Sequence, residues 1–261
     1  MRKRNNILWL ITILMIWLAF SSVSWGKAPE GLVFFFAFDE KSGDTVRDQS
    51  GFGNNGIITG KQDWINGKFK GGFHFDGKTN ISVKNAEPLT SLTHPMSVAA
   101  WVNPDSITGW HNIIEMDRTA ASKVNGWKLG FNATKTITWT TYGVLDFSSV
   151  TVIDFSKWTH VAATWDGARA IVYVNGKPDP PMSGGGVINV KDTNDIPSLD
   201  LGWRRSSASS YYQGGMDEVC IFKRVLSENE INSLMNGLGD MMAVDPGGKL
   251  STVWGDVKVA K

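Results

Sequence analysis

Glu115 and Asp117 stand two residues apart, a spacing that places both carboxylates on one face of a strand. Paired carboxylates are the machinery of glycoside hydrolysis. A second group is the run DQSGFGNNG, residues 48–56, in which oxygen-bearing side chains alternate with glycines. Such a run can turn carboxylates, amides and backbone carbonyls toward a hard cation such as calcium. It equally suits a loop of Asx turns in which Asp48 accepts backbone amides. The third group is aromatic: Trp110 in SITGWHN, and Trp203, Tyr211 and Tyr212 in GWRRSSASSYYQG. Beside them Arg204 and Arg205 could donate to sugar hydroxyls or to acidic sugars; alternatively the rings simply cover sheet edges. His74, His94, His111 and His160 show no metal-ligand spacing, and neither a G-x-S-x-G nor a phosphate-binding glycine loop occurs. The chain is therefore expected to be no enzyme.

The elements that must position these residues are strands. Strand-like segments, punctuated by glycine, asparagine and proline, recur near 31–38, 56–59, 71–75, 80–84, 96–103 and 111–116. The pattern returns near 126–132, 136–142, 149–152, 159–165, 169–175, 187–190, 198–202 and 216–222. WTHVAATWDGARAIVYVNGKP, residues 158–178, is the clearest hairpin. Asp166-Gly167 suits a type I′ turn, and Asn175-Gly176 supplies a second turn of the same kind. Trp101, Trp158 and Trp165 are expected in the core. One helix is expected, from Ser227 to about Met235: Ser227 and Glu230 make a capping box, and Gly237 falls at the C-terminal cap. The fold class that follows is all-β, a two-sheet antiparallel sandwich with one short C-terminal helix.

Residues 1–26 have the layout of a secretory signal: Arg2, Lys3 and Arg4, an apolar run from Ile7 to Phe20, then small residues. An uncleaved anchor is the alternative, but the run falls short of the roughly 20 residues that span a bilayer. Beyond residue 26, 23 basic side chains face 25 acidic ones, a net charge of −2. That near-neutral balance argues against nucleic acid and acidic membranes as partners. Cys220 is the only cysteine, so no intrachain disulfide can form. The domain expectation is a signal peptide over 1–26, one domain over 27–239, and a C-terminal extension over 240–261, either an added edge strand or a tail.

Several pieces in order resemble a known family. LVFFFAFDEKSGDTVRDQSGFGNNG, GKFKGGFHFDGKTNISV, MSVAAWVNP, the hairpin above, LDLGWRR and GGMDEVCIFKRVLSENEINSLMNG are similar to successive segments of the laminin-G-like, concanavalin A-like jelly rolls of secreted bacterial proteins. The resemblance covers roughly residues 31–237. It implies a jelly roll, and a structural calcium ion tying the N-terminal strand and loop to the C-terminal strand, with Asp39, Asp48, Asn54 and Asp217 as the matching ligands. Related jelly-roll glucanases carry Glu-x-Asp-x-x-Glu on one strand. Here Ala120 stands where the second catalytic Glu would be, so Glu115 and Asp117 lack a proton-donating partner.

The functional expectation is a secreted, monomeric, non-catalytic module that binds carbohydrate through Trp110, Trp203, Arg204, Tyr211 and Tyr212. The alternatives are a structural or adhesive surface protein whose partner is another protein, and a polysaccharide-active enzyme. In each case the hairpin at 158–176 is scaffold and recognition lies on the loops.

Overall fold

The structure is a computed structural model and describes residues 28–238, apart from 85, 87, 90–93, 118–125, 180–181, 184–197 and 206–208. The expected signal peptide, the strand at 187–190 and the extension over 240–261 lie outside the described residues. In chain order the strands are β1 (Leu32–Phe36), β2 (Thr45–Val46), β3 (Gly56–Thr59), β4 (Trp64–Asn66), β5 (Gly71–Asp76) and β6 (Asn80–Lys84). Then come β7 (Met96–Pro104), β8 (His111–Asp117), β9 (Gly126–Phe131), β10 (Thr136–Thr141), β11 (Leu145–Val152) and β12 (Thr159–Trp165). The last are β13 (Arg169–Val174), β14 (Lys177–Pro178), β15 (Met182–Ser183), β16 (Ser198–Leu201) and β17 (Gln213–Phe222), followed by α1 (Glu228–Leu234).

Two antiparallel sheets result. One follows the order β14-β13-β12-β7-β17-β5-β4, with β1 added on β17 and β15 on β13; the other runs β11-β10-β9-β8-β16-β6-β3-β2. This is the two-sheet sandwich expected from the strand pattern, and the jelly roll that the family resemblance implies. The short strands β2, β4, β14 and β15 escape the sequence pattern because two or three residues cannot display a period.

The core lies between the sheets. Phe34, Phe36, Phe73, Phe75, Trp127, Trp139 and Trp165 are all buried there, and Trp127 stacks on Trp139 with ring centroids 5.3 Å apart. Of the three tryptophans expected inside, Trp165 is fully buried, whereas Trp158 is only half-buried. Trp101 is buried too, but against Phe69 and His160, with the Lys68 ammonium 4.4 Å from its ring.

A second apolar cluster covers the opposite face of the nine-stranded sheet, where Phe35, Tyr173, Cys220 and Phe222 meet Ile231 and Leu234 of α1. The helix begins as its sequence dictates: the Ser227 side chain accepts from the Glu230 amide, and Glu230 accepts in return from the Ser227 amide at 2.8 Å. Gly237 follows the cap at φ +97°, in the left-handed region.

The central hairpin differs from expectation in one turn. Trp165 pairs with Ala170, and the Asp166 amide donates to the Arg169 carbonyl at 3.3 Å, so the loop tip is Gly167-Ala168 and not Asp166-Gly167. Only Gly167 has positive φ (+100°), the glycine-first pattern of a type II′ turn. Asp166 stands before the tip because its carboxylate accepts from the Ala168 and Arg169 amides at 2.7 and 2.6 Å. The second turn is as expected: Asn175 and Gly176 both have positive φ, at 48° and 75°.

Candidate functional site

The strand register builds the site. Across the eight-stranded sheet, Ser82 is partnered by Asp200, Asp200 by Glu115, and Glu115 by Lys128. Lys128 is partnered by Thr140, and Thr140 by Asp146. Six residues from β6, β16, β8, β9, β10 and β11 thus form one transverse polar row. At about 4.8 Å per strand the row spans about 24 Å. The alternating neighbours Ile114, Leu129, Trp139 and Phe147 point into the core, so the row lies on the outward face.

The row is charged and largely covered. Asp200 and Glu115 are both 0% exposed although they sit on the outward face. Arg205 lies over Asp200, its Nε 2.8 Å from Oδ2 and its terminal nitrogen 2.8 Å from Oδ1. The hydroxyls of Ser82 and Ser198 also donate to that carboxylate, at 2.5 and 2.7 Å. Glu115 accepts from the Tyr142 hydroxyl and from Nδ2 of Asn112, and the Arg204 Nε stands 3.9 Å away. The Arg204 guanidinium also covers the Tyr142 ring at 5.2 Å. Each buried carboxylate is thus matched by an arginine from the chain that follows β16, which burial of a charge requires.

Beyond Glu115 the row opens. Lys128 is nearly buried, and its ammonium lies 4.5 Å from the centroid of the Trp110 ring. Burial draws the Lys128 pKa below its ordinary value, while the charges of Glu115 and Asp146 pull it back up. Thr140 donates through its hydroxyl to the exposed Asp146. A cleft of about 550 Å³ lies here, bounded by Trp110, Lys128, Thr140, the turn from Tyr142 to Val144, Asp146, Arg204 and Ser210. That volume falls within the range of small-molecule sites. Two cations, Lys128 and Arg204, and one carboxylate, Asp146, border it, and the buried Glu115 carboxylate stands 3.9 Å from Arg204.

The expected sugar-binding residues divide. Trp110, 44% exposed, and Arg204 reach the cleft. Trp203 and Tyr211 are half-buried and pack on each other with centroids 5.9 Å apart, behind Arg204 rather than in the cleft. Tyr212 does not belong to any binding surface. It is fully buried, stacks on Phe131 at 5.9 Å, and donates its hydroxyl to the Gly215 carbonyl at 2.9 Å. The sequence cue of paired tyrosines was misleading because alternation sends one ring out and the next one in. Lys128, Thr140 and Asp146 were missed, since a single polar residue on a strand gives no signal until the register lines it up with its neighbours.

Glu115 is a buried carboxylate, paired with Asp200 on one side and Lys128 on the other. Ala120 lies outside the described residues. The only carboxylate beside Glu115 in the row is Asp200, and both of its oxygens are held by Arg205.

The four residues expected to ligate calcium do not converge. Asp48 accepts the amides of Phe35, Ser50 and Asn54 at 3.1, 2.9 and 2.9 Å, which is the Asx-turn reading of the loop. Asn54 is buried within that same loop. Asp39 instead holds the Gly71 amide at 3.1 Å and Lys70 at 3.3 Å. Asp217 is 0% exposed, accepts the Phe69 amide at 2.9 Å, and burial pushes its pKa up to about 8. Among the described residues no group of three or more His, Cys, Asp or Glu side chains is placed to hold a metal ion. A calcium ion shared by these four residues does not fit.

Several solved structures share this fold. Domain 4 of AbnA, a GH43 extracellular arabinanase from Geobacillus stearothermophilus solved with arabinotriose, superimposes with a TM-score of 0.62 at 20% identity, over 79% of this chain and 99% of that one. The binding domain of botulinum neurotoxin DC, in complex with SialylT, gives 0.60 at 15% identity, over 80% of this chain and 51% of that one. A Trypanosoma rangeli sialidase in complex with sialic acid gives 0.59 at 18% identity, over 82% of this chain and 34% of that one. The chain thus spans about half of the toxin domain and a third of the sialidase. At these identities the likeness shows the fold alone. No curated protein matches the sequence. The family model of the concanavalin A-like lectin/glucanases superfamily matches residues 75–232, which carry most of both sheets and the start of α1; the chain belongs to that family.

Proposed function

We propose that the protein is a secreted, monomeric, non-catalytic module that binds a glycan in the cleft over β9, β10 and β11. The observation that carries this reading is the cleft itself. An exposed indole, backed on one side by an ammonium, stands beside hydroxyl, carboxylate and guanidinium groups. A sugar ring offers an apolar face of C–H bonds to the free side of the indole and hydroxyls to those polar groups. Glycan complexes among proteins of like fold support the same reading.

The absence of catalysis rests on the state of the carboxylates. A glycosidase needs one carboxyl that holds a proton for the leaving group and a second that reaches the sugar or its water. Glu115 and Asp200 are both covered, and both oxygens of Asp200 are occupied by Arg205. The test is an array of oligosaccharides probed with the full chain, followed by incubation of each bound glycan. Binding with no cleavage is expected; hydrolysis of a bound glycan would contradict the non-catalytic reading, and an array without signal would contradict the binding reading.

A further inference from the structure

The geometry points to recognition of a glycan chain end rather than an internal stretch, an inference that rests on the glycan-binding reading of the same cleft. The burial along the transverse row is graded. Asp200 and Glu115 are 0% exposed, Lys128 and Thr140 are each 6% exposed, and Asp146 is exposed. The cause of the gradient is the segment after β16. Arg205 lies across Asp200 and reaches Ser82 at 3.4 Å, while Arg204 lies over Glu115 and Tyr142.

This wall is anchored at several points. The Arg204 amide donates to the Ser209 carbonyl at 3.0 Å, closing the segment on itself. The Asn112 amide donates to the Ser210 carbonyl at 3.0 Å, and the His111 ring meets the Tyr211 carbonyl. Asn112 Nδ2 also reaches the Trp203 carbonyl at 3.4 Å. An extended chain lying along the row would have to pass through Arg204 and Arg205 and break these contacts.

Among the described residues the other end has no such wall. β11 is the last strand of its sheet, and Asp146 and the Gly143 turn are exposed at that edge. Among the described residues the cleft is bounded by Arg204 and Ser210 at one end and by the edge strand β11 at the other, and we infer that it opens over β11. A ligand chain enters over β11 and places its terminal unit between Trp110 and Arg204. A linear chain satisfies this with one or two sugar units inside and the remainder in solvent.

The experiment uses the full chain and three neutral polysaccharides: linear arabinan, xylan and a mixed-linkage glucan. Each is titrated whole and after partial cutting by an endo-acting enzyme, at equal mass. Chain-end recognition predicts that binding sites per gram rise with the number of ends, about tenfold for a tenfold rise in ends. Capacity per gram that stays constant on cutting would overturn this inference and leave the glycan-binding reading intact. Failure to bind any probe, whole or cut, would overturn both.

Discussion

Arg205 holds Asp200 through two parallel contacts of 2.8 Å, joining the chain that leaves β16 to the centre of the eight-stranded sheet. The carboxylate is 0% exposed and the guanidinium about one-third exposed, so the pair is half inside the protein. Such an ion pair does not add stability relative to an apolar replacement of both partners, but removing one partner strands the other. Its role is positional: it sets Arg204, one residue before, over Glu115 at one end of the cleft.

Arg205→Met is therefore expected to cost about 2–3 kcal/mol, because Asp200 stays buried with only hydroxyl donors. The double variant Arg205→Met with Asp200→Leu should recover part of that loss. Urea unfolding of the three proteins checks this, and a single variant as stable as wild type would show that the pair carries no such strain.

Stability should fall as pH rises from about 6.5 to about 8. Asp217 keeps its proton in the folded state up to about 8, whereas it ionises near 3.9 when unfolded. Its contribution is full below pH 4 and is lost as pH rises through the folded value, by at most about 1.4 kcal/mol per unit. Glu218, also raised by burial, adds a slope of the same sign. His160 opposes both: burial lowers its pKa to about 3, so its contribution is present above pH 6.5 and is lost as pH falls. The two slopes offset each other between about 4 and 6.5, leaving the acids unopposed above. Asp217→Asn should flatten the upper window; thermal melts across pH 5–8.5 that decline equally in both proteins would contradict the assignment.

Gly167→Val should destabilise the domain by about 1–3 kcal/mol. The residue stands at φ +100°, and a Cβ there would lie 2.8 Å from the His94 ring. Gly109→Ala is the control, since a Cβ at Gly109 meets nothing within 4 Å. Equal melting temperatures for the two variants would mean that the hairpin tip carries no strain.

Chelation should leave the melting temperature unchanged. A ligand that binds only the native state raises stability by mass action, so a structural calcium ion would be revealed by its removal. Asp48 is instead occupied by three backbone amides, and Asp39 and Asp217 serve the segment from Phe69 to Gly71. A shift of several degrees on adding EDTA, reversed by excess calcium, would restore the metal reading.

The contrast between Trp165 and Tyr212 shows how far the sequence could be read. Trp165 closes an unbroken alternation in β12, so its inward direction followed from period alone. Tyr212 lies just before β17, where a backbone at positive φ in Ser210 shifts the phase; nothing in the residue types announces that shift. The capping box at Ser227 and the Asn175-Gly176 turn were legible because each is a local motif with its own hydrogen-bond logic. The polar row was not, because it is a product of register. Lys128 and Asp146 are 18 residues apart and become neighbours of one cleft only when β9, β10 and β11 pair.

Titration of one glycan from the array against Trp110→Ala and Phe52→Ala tests the central claim most directly. Both rings are exposed, at 44% and 50%, but only Trp110 borders the cleft. Trp110→Ala should lose about 2 kcal/mol of binding, roughly thirtyfold in Kd, with its melting temperature nearly unchanged. Phe52→Ala should bind as wild type does. Wild-type affinity in Trp110→Ala, with the fold intact, would contradict the assignment of this cleft as the glycan site.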